Sequence, residues 1–465
     1  MHSLTNSQMT ADTDRIFDLA IIGGGFSAAA LVIHLCKSAP RRARQIAIVS
    51  EDCGRQPFGS GAAFGTDNPH YRLNVRAEIM KLFSDSPDDF KIWAEAHICD
   101  AEASRPEGDF YQRRDFARYM TDTLEKICID GLPEQISTTA TTLRQQDNLW
   151  HISHSAGAEI RTKMLVLATG NPPPIWPCAV TSSGQNRLVV NPWDGSWQKR
   201  LETDDALCLI GGGLTAMDGI YAAAQTGHKG RIMLVSPQGM LPPAQTGWQA
   251  QPPISWPKEQ LTASRFFGHM RTALKGAGDD WTQSSWQERF EALRIELSEV
   301  YWQMSGQEKR RLLRRAASWW SLARYRSAPQ NFAAAQQMLS SGQLSIIQDR
   351  VISLDEEAGE VRIGLASGNV LSSDMAVNCS GVATDPFFER LIADNIICPC
   401  AFGQSPEVTQ NLAVCRPDSG SYDTLFALGA ATRGSFGDVV GAGTIARQAE
   451  ELAKILASGN LSDLC

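Results

Sequence analysis

Twice in this chain an apolar strand runs into a glycine cluster followed by small residues. Leu19–Ile22 leads into Gly23, Gly24, Gly25, Phe26, Ser27 and Ala28, and Leu207–Ile210 leads into Gly211, Gly212, Gly213, Leu214, Thr215 and Ala216. Both stretches fit G-x-G-x-x-A. The first glycine permits a tight turn, the second lets backbone approach a pyrophosphate, and the small third residue lets helix pack on strand. The helix that starts there aims free N–H groups and its positive end at phosphates. One such stretch can be a coincidence of an α/β unit. Two predict an α/β chain with two Rossmann-like dinucleotide-binding domains.

The surroundings repeat as well. The first cluster is followed by a helix (Ala28–Leu35) and a strand (Gln45–Ser50) ending at Glu51, an acid placed to accept hydrogen bonds from a ribose. Short alternating segments then form a meander: Ile136–Leu143, Leu149–Ser153, Glu159–Thr162 and Met164–Thr169, closing on Ala168-Thr169-Gly170. After the second cluster come a helix (Met217–Gln225) and a strand (Arg231–Ser236). A second meander follows: Leu344–Ile347, Val351–Leu354, Val361–Leu365 and Met375–Asn378, closing on Cys379-Ser380-Gly381. A proline-rich link from Pro172 to Pro177 marks a boundary. The expected organisation is a first domain over 1–200, a second over 201–380 and a return to the first over 381–465. A helical insertion interrupts the second domain at 240–340. Residues 1–15 read as loosely attached.

The insertion holds seven of the twelve tryptophans, with a run of cations from Lys309 to Arg326. Helices are expected over Trp286–Val300, Gln307–Leu322 and Pro329–Leu339. Two readings stand: a helical cap with a buried aromatic face and a solvated basic face, or a lid whose arginines hold an anion. Arg324 and Arg326 are the candidate catalytic residues in the second reading. Elsewhere, Pro57–Thr66 carries three glycines among aromatics and small residues, as a segment lying flat on a ring system would. Its alternative is a loop packed on the sheet. Arg113 and Arg114 suit a phosphate or solvent equally. Near the C-terminus the glycine-rich stretch Gly434–Gly443 feeds a helix (Thr444–Ser458), a second place where negative charge is favoured.

A net charge of −8 argues against a nucleic-acid binder. No run approaches the ~18 apolar residues of a membrane span. The polar Met1–Arg15 segment lacks the apolar core of a secretory signal, and the 11 cysteines are odd in number and scattered, so reduced thiols in a cytoplasm are expected. Cys398 and Cys400 form the one close pair and read as buried thiols. No metal site is expected.

Together these stretches resemble the flavoproteins in which an FAD domain is interrupted by an NAD(P) domain. More closely, the chain resembles the bacterial FAD–NAD(P)-binding family, relatives of the class B flavin monooxygenases and N-hydroxylases. The matching segments include 21–28, 59–66, Leu73-Asn74-Val75, 168–170, 210–218, 378–381 and Arg447-Gln-Ala449. The resemblance implies FAD and NAD(P)H as cofactors and hydroxylation of a small molecule, an anion if the insertion's arginines face it. It places Gly23, Gly24, Gly25, Phe26, Ser27, Ala28 and Glu51 on the ADP half of FAD. It sets Gly65, Asn74, Thr169, Gly170, Gly429, Arg433 and Thr444 around the remainder. Gly211, Gly213, Thr215 and Ala216 fall to the nicotinamide nucleotide. One departure matters: Pro237-Gln238 supplies neither the base of a strict NADPH user nor the acid of a strict NADH user. An oxidase or dehydrogenase with a vestigial second site, or a non-catalytic flavin-binding regulator, are the alternatives. The C-x-x-C pairs of disulfide reductases are absent.

Overall fold

The computed structural model describes residues 15–458 other than 39, 158, 183, 185, 279 and 358. The expected loose N-terminal segment lies outside them apart from Arg15. Two sheets with parallel centres carry the two fingerprints. In the first, the order is Ala413–Cys415, Ser421–Ala427, Glu159–Leu167, Ile16–Ile22, Ile46–Val49 and Glu134–Ile136. Leu19 pairs with Ile46 and with Met164, so the fingerprint strand is central and takes both neighbours in parallel. Such a strand is buried on both faces and reads as a continuous apolar run. The helix Phe26–Ser38 is buried from Phe26 to Cys36 and packs against the last helix, Ala442–Ser458. The second sheet has the order Leu188–Val189, Met375–Asn378, Leu207–Ile210, Ile232–Ser236 and Leu344–Gln348. Leu207 pairs with Ile232 and with Met375 in the same arrangement.

Each lobe also has its antiparallel meander. In the first, Ala140–Gln146, Leu149–His154 and Glu159–Leu167 run in succession. The two strands expected at 159–162 and 164–169 are one. In the second, Val351–Glu357, Glu360–Leu365 and Val370–Ser373 form the meander, with Ala179–Thr181 added alongside Ser353–Asp355.

The insertion is helical: Ala263–Leu274, Ser284–Arg294, Leu297–Gln303 and Gly306–Arg324, followed by Pro329–Ser340 on the second lobe. It has a core of its own, built from Trp256, Phe266, Trp286, Phe290, Leu293 and Leu312. The first of these helices is not anticipated by the sequence. Thr262 caps it by accepting from the Arg265 N–H at 3.3 Å. The expected helix Trp286–Val300 is two helices, breaking at Ile295 and Glu296. Arg310, Arg311, Arg314 and Arg315 face outward, as a solvated basic face requires. No helix is long and apolar enough to cross a membrane among the described residues.

Candidate functional site

The two fingerprints fold alike to the atom. Gly23 has φ +116° and Gly211 has φ +114°, a region that side chains other than glycine's avoid. The Gly23 N–H donates to the Val49 carbonyl at 2.9 Å and the Gly211 N–H to the Val235 carbonyl at 2.8 Å. The closing turns repeat too: the Ala168 N–H donates to Ile22 at 2.8 Å and the Cys379 N–H to Ile210 at 2.7 Å. A Cβ on Gly23 would lie 2.1 Å from the Ala168 carbonyl oxygen, and one on Gly211 would lie 2.3 Å from that of Cys379. Ala28 and Ala216 are fully buried where helix meets strand.

What covers each fingerprint differs. Around Gly213, at the start of the helix Leu214–Gln225, an added Cβ would find nothing within 4 Å. The turn is open, with Thr215 half-buried beside it. Over the first fingerprint lies the 57–66 segment. The Gly59 N–H donates to the Gly24 carbonyl at 3.0 Å, and Gly61 sits against Gly25, where a Cβ would lie 3.5 Å from the Gly61 Cα. Gly65 ends the short helix Gly61–Phe64, and a Cβ there would strike the Gln56 Oε1. These glycines therefore serve backbone-on-backbone packing at the fingerprint.

The rest of the expected flavin set gathers nearby. Thr169 places a buried hydroxyl beside Gly23 with no hydrogen-bond partner. Gly170 follows with φ +77° and open space around it. Glu51 is exposed beyond the second strand, accepting from the Thr139 hydroxyl at 3.2 Å. Gly429, with φ +69°, lies against Ser27, whose Oγ would be 2.3 Å from a Cβ there. Gln448, in the segment matched at 447–449, ties this turn down: its Oε1 accepts the Gly429 N–H at 3.2 Å and its amide donates to Thr432. The Thr444 N–H donates to Gly441 at 3.0 Å inside the first turn of the last helix. Asn74 donates to the Arg326 carbonyl at 3.3 Å, joining the 73–75 segment to the insertion. At the first turn an orphaned hydroxyl beside a glycine that admits no side chain, and at the second an open helix N-terminus beyond another such glycine, fit a dinucleotide.

Arg324 and Arg326 belong to a buried ion cluster. Arg326 is 2% exposed, pairs with Glu291 at 2.9 Å and lies over the Phe290 ring; its Nε and one terminal nitrogen have no partner. Arg324 and Arg294 both pair with Asp438, the former at 2.9 Å. Burial disfavours the charged carboxylates, but Arg294, Arg324 and Arg326 outweigh it at Glu291 and hold its pKa down at about 2. Asp438 is likewise held at about 2 against burial, by Arg324 and Arg294 first.

Arg113 is the correction. It is neither solvated nor aimed at a phosphate. It pairs with Asp218 of the second fingerprint helix at 3.0 Å, both side chains buried, and lies over Trp193. Asn331 donates to the other Asp218 oxygen at 3.0 Å. Arg72 reinforces the contact, pairing with Asp100 at 2.9 Å and reaching the Tyr221 hydroxyl at 3.5 Å. Arg114 is exposed and bonded to Gln112.

Beside the ion cluster lies a cavity of about 330 Å³ between the insertion, the 170–172 and 382–385 links and the 430–438 turn. Its walls include Phe266, Met270, Leu312, Trp320 and Tyr325, and Gly170, Arg433 and Asp438 reach it. Cys400 lines it as a buried free thiol.

Residues 20–172 match the FAD-NAD(P)-binding family. That match runs from the first fingerprint strand past the Ala168–Gly170 turn. The whole architecture is similar to solved flavoproteins. The ornithine N-hydroxylase of Kutzneria sp. 744, solved with reduced FAD, NADP+ and L-ornithine, superposes with a TM-score of 0.62 at 14% identity, covering 95% of this chain and 99% of its own. The ornithine hydroxylase PvdA of Pseudomonas aeruginosa gives 0.62 at 14% identity over the same shares. DfoA, the cadaverine monooxygenase of Erwinia amylovora bound to FAD, gives 0.61 at 14% identity over 95% of each chain. These likenesses establish the fold: two dinucleotide-binding domains, one inside the other. No curated protein matches the sequence.

Proposed function

We propose that this chain is an FAD-dependent oxidoreductase that draws electrons from NAD(P)H and hydroxylates a small molecule. The balance is RH + O2 + NAD(P)H + H+ giving ROH + H2O + NAD(P)+. The observation that carries the reading is the second fingerprint. Gly211 reproduces the strained turn of Gly23, and Gly213 leaves its helix N-terminus open to a pyrophosphate. A vestigial site would have no reason to keep the space over Gly213 clear. Bound FAD supplies hydride acceptance and activation of dioxygen. The chain's residues do the rest. Gly23–Ala28 would hold the ADP half, with Glu51 on its ribose, and Thr169 would offer its unpartnered hydroxyl to the remainder. The N-terminus of Ala442–Ser458 and the neighbouring arginines favour negative charge at the reduced ring. The apolar insertion wall of the cavity would limit water at the reacting centre. The similar solved hydroxylases support the reaction class, and the ten described cysteines, all free, support a reducing compartment such as the cytoplasm.

The test is anaerobic mixing of the purified yellow protein with NADPH and, separately, NADH. Bleaching of the flavin band within seconds by either supports the reading and names the donor. Admitting air then separates product from peroxide. A flavin that neither nucleotide bleaches overturns it. That result would favour an oxidase or dehydrogenase, consistent with a 236–238 strand end that carries neither acid nor base.

A further inference from the structure

The substrate's chemistry is written in the walls of the cavity. Its insertion side presents Phe266, Phe267, Met270, Leu312, Ala316 and Trp320, with no charged side chain among them. A flexible diamine or diamino acid would be stripped of water there without polar partners, at a cost that apolar walls cannot offset. An aromatic or branched apolar body loses nothing on entry.

The charged groups lie at the other end. Asp438 is already shared by Arg294 and Arg324. Asp385 caps the helix Pro386–Ala393, accepting the Phe387 N–H at 3.0 Å, where the helix N-terminus offsets its charge. The phenols of Tyr301 and Tyr325 stay neutral, since burial pushes both upward. Neither phenol makes a hydrogen bond among the described residues. Arg433 remains. Its guanidinium is exposed at the cavity and has no hydrogen bond or ion pair among the described residues. Glu291 and Asp438 are each paired with arginines, so neither is left to repel an acid. The buried Lys309 adds a further cation, with the Ser435 carbonyl at 3.3 Å as its hydrogen-bond acceptor.

We infer that the cavity takes an apolar carboxylate, an aryl- or alkyl-substituted acid, with its hydrocarbon body against the insertion and its acid group on Arg433. This rests on the proposed function, since the occupant is the molecule to be hydroxylated. An arginine fork suits a carboxylate, and the cavity volume suits a compact ligand.

The test uses the flavin-loaded protein and binding, without turnover. Titration with 4-phenylbutyrate should give saturable heat and should quench tryptophan fluorescence through Trp320. 4-Phenylbutylamine and L-ornithine should bind at least about tenfold more weakly. Arg433→Gln should weaken 4-phenylbutyrate by about tenfold or more and leave 4-phenylbutanol unchanged. Ala316→Trp, which fills the cavity, should abolish binding of both while flavin content holds; Ala317→Phe, at an exposed lining position, provides the same check should the first fail to fold. No saturable binding of 4-phenylbutyrate overturns the inference. So does tighter binding of the amine or of ornithine. Loss of flavin from both filled variants also overturns it, because the cavity would then be the flavin's own. None of these readouts needs NAD(P)H, so failure here and failure of the proposed function are seen separately.

Discussion

At Gly23 and Gly211 an added methyl would meet a backbone carbonyl at 2.1 and 2.3 Å, whereas at Gly213 it would meet nothing within 4 Å. The same residue type is thus kept for two reasons, and substitution tells them apart. Gly23→Ala should cost about 3 kcal/mol or more, strain and clash together, and show as a large drop in melting temperature or loss of soluble protein. Gly213→Val should fold, lose at most about 1 kcal/mol as a poorer helix start, and keep its flavin. Its bleaching by NAD(P)H should be lost. A Gly213→Val protein bleached at the parent rate would remove the second site from the argument. Glycine spacing is a short-range pattern, which is why both turns were legible in the sequence. The arginines were not. Arg326 meets a carboxylate 35 positions away, Arg324 one 114 away and Arg294 one 144 away. Only Arg294 has a local partner as well, Glu291 three positions earlier at 3.2 Å; nothing local marks the other two guanidinium groups as paired.

Among the elements, the strands were read well and their joins less so. Lys163 looked like a break between two strands. In the structure it stays in one strand because its ammonium reaches Asp18 at 2.8 Å, while Thr162 turns its hydroxyl to the Phe17 carbonyl. The helix Ala263–Leu274 was hidden by the prolines before it. The cluster around Glu291 joins the helix Ser284–Arg294 to the end of Gly306–Arg324, and it makes a pH-dependent contribution. With folded pKa values lowered to about 2, Glu291 and Asp438 add stability above the ordinary carboxylate range. That stability drains away as pH falls below about 4, a few kcal/mol in all. Thermal melts from pH 7 to pH 3 should therefore fall more steeply for the parent than for Glu291→Gln, which should melt lower at pH 7 because Arg326 is left buried without its partner. Parallel slopes would show the cluster to be energetically silent.

On the scale of the whole molecule, two lobes were foreseen and their contact was not. Arg113 and Asp218 stand 105 residues apart, each in a stretch that reads as ordinary helix. Removing one partner strands a charge. Asp218→Ala should cost about 3–5 kcal/mol in denaturant unfolding, and Arg113→Met with Asp218→Leu together should recover part of it. An unchanged midpoint for the single variant would mean that the latch is solvated in solution. Asp438 has a longer reach. It belongs to the first lobe's C-terminal turn, yet both arginines that pair with it come from the insertion in the second. The turn and the insertion are therefore one heritable unit. A lineage that exchanged its insertion to accept another substrate would have to change residue 438 in the same step, and an engineer trimming 240–340 would leave Asp438 without the two arginines that pair with it.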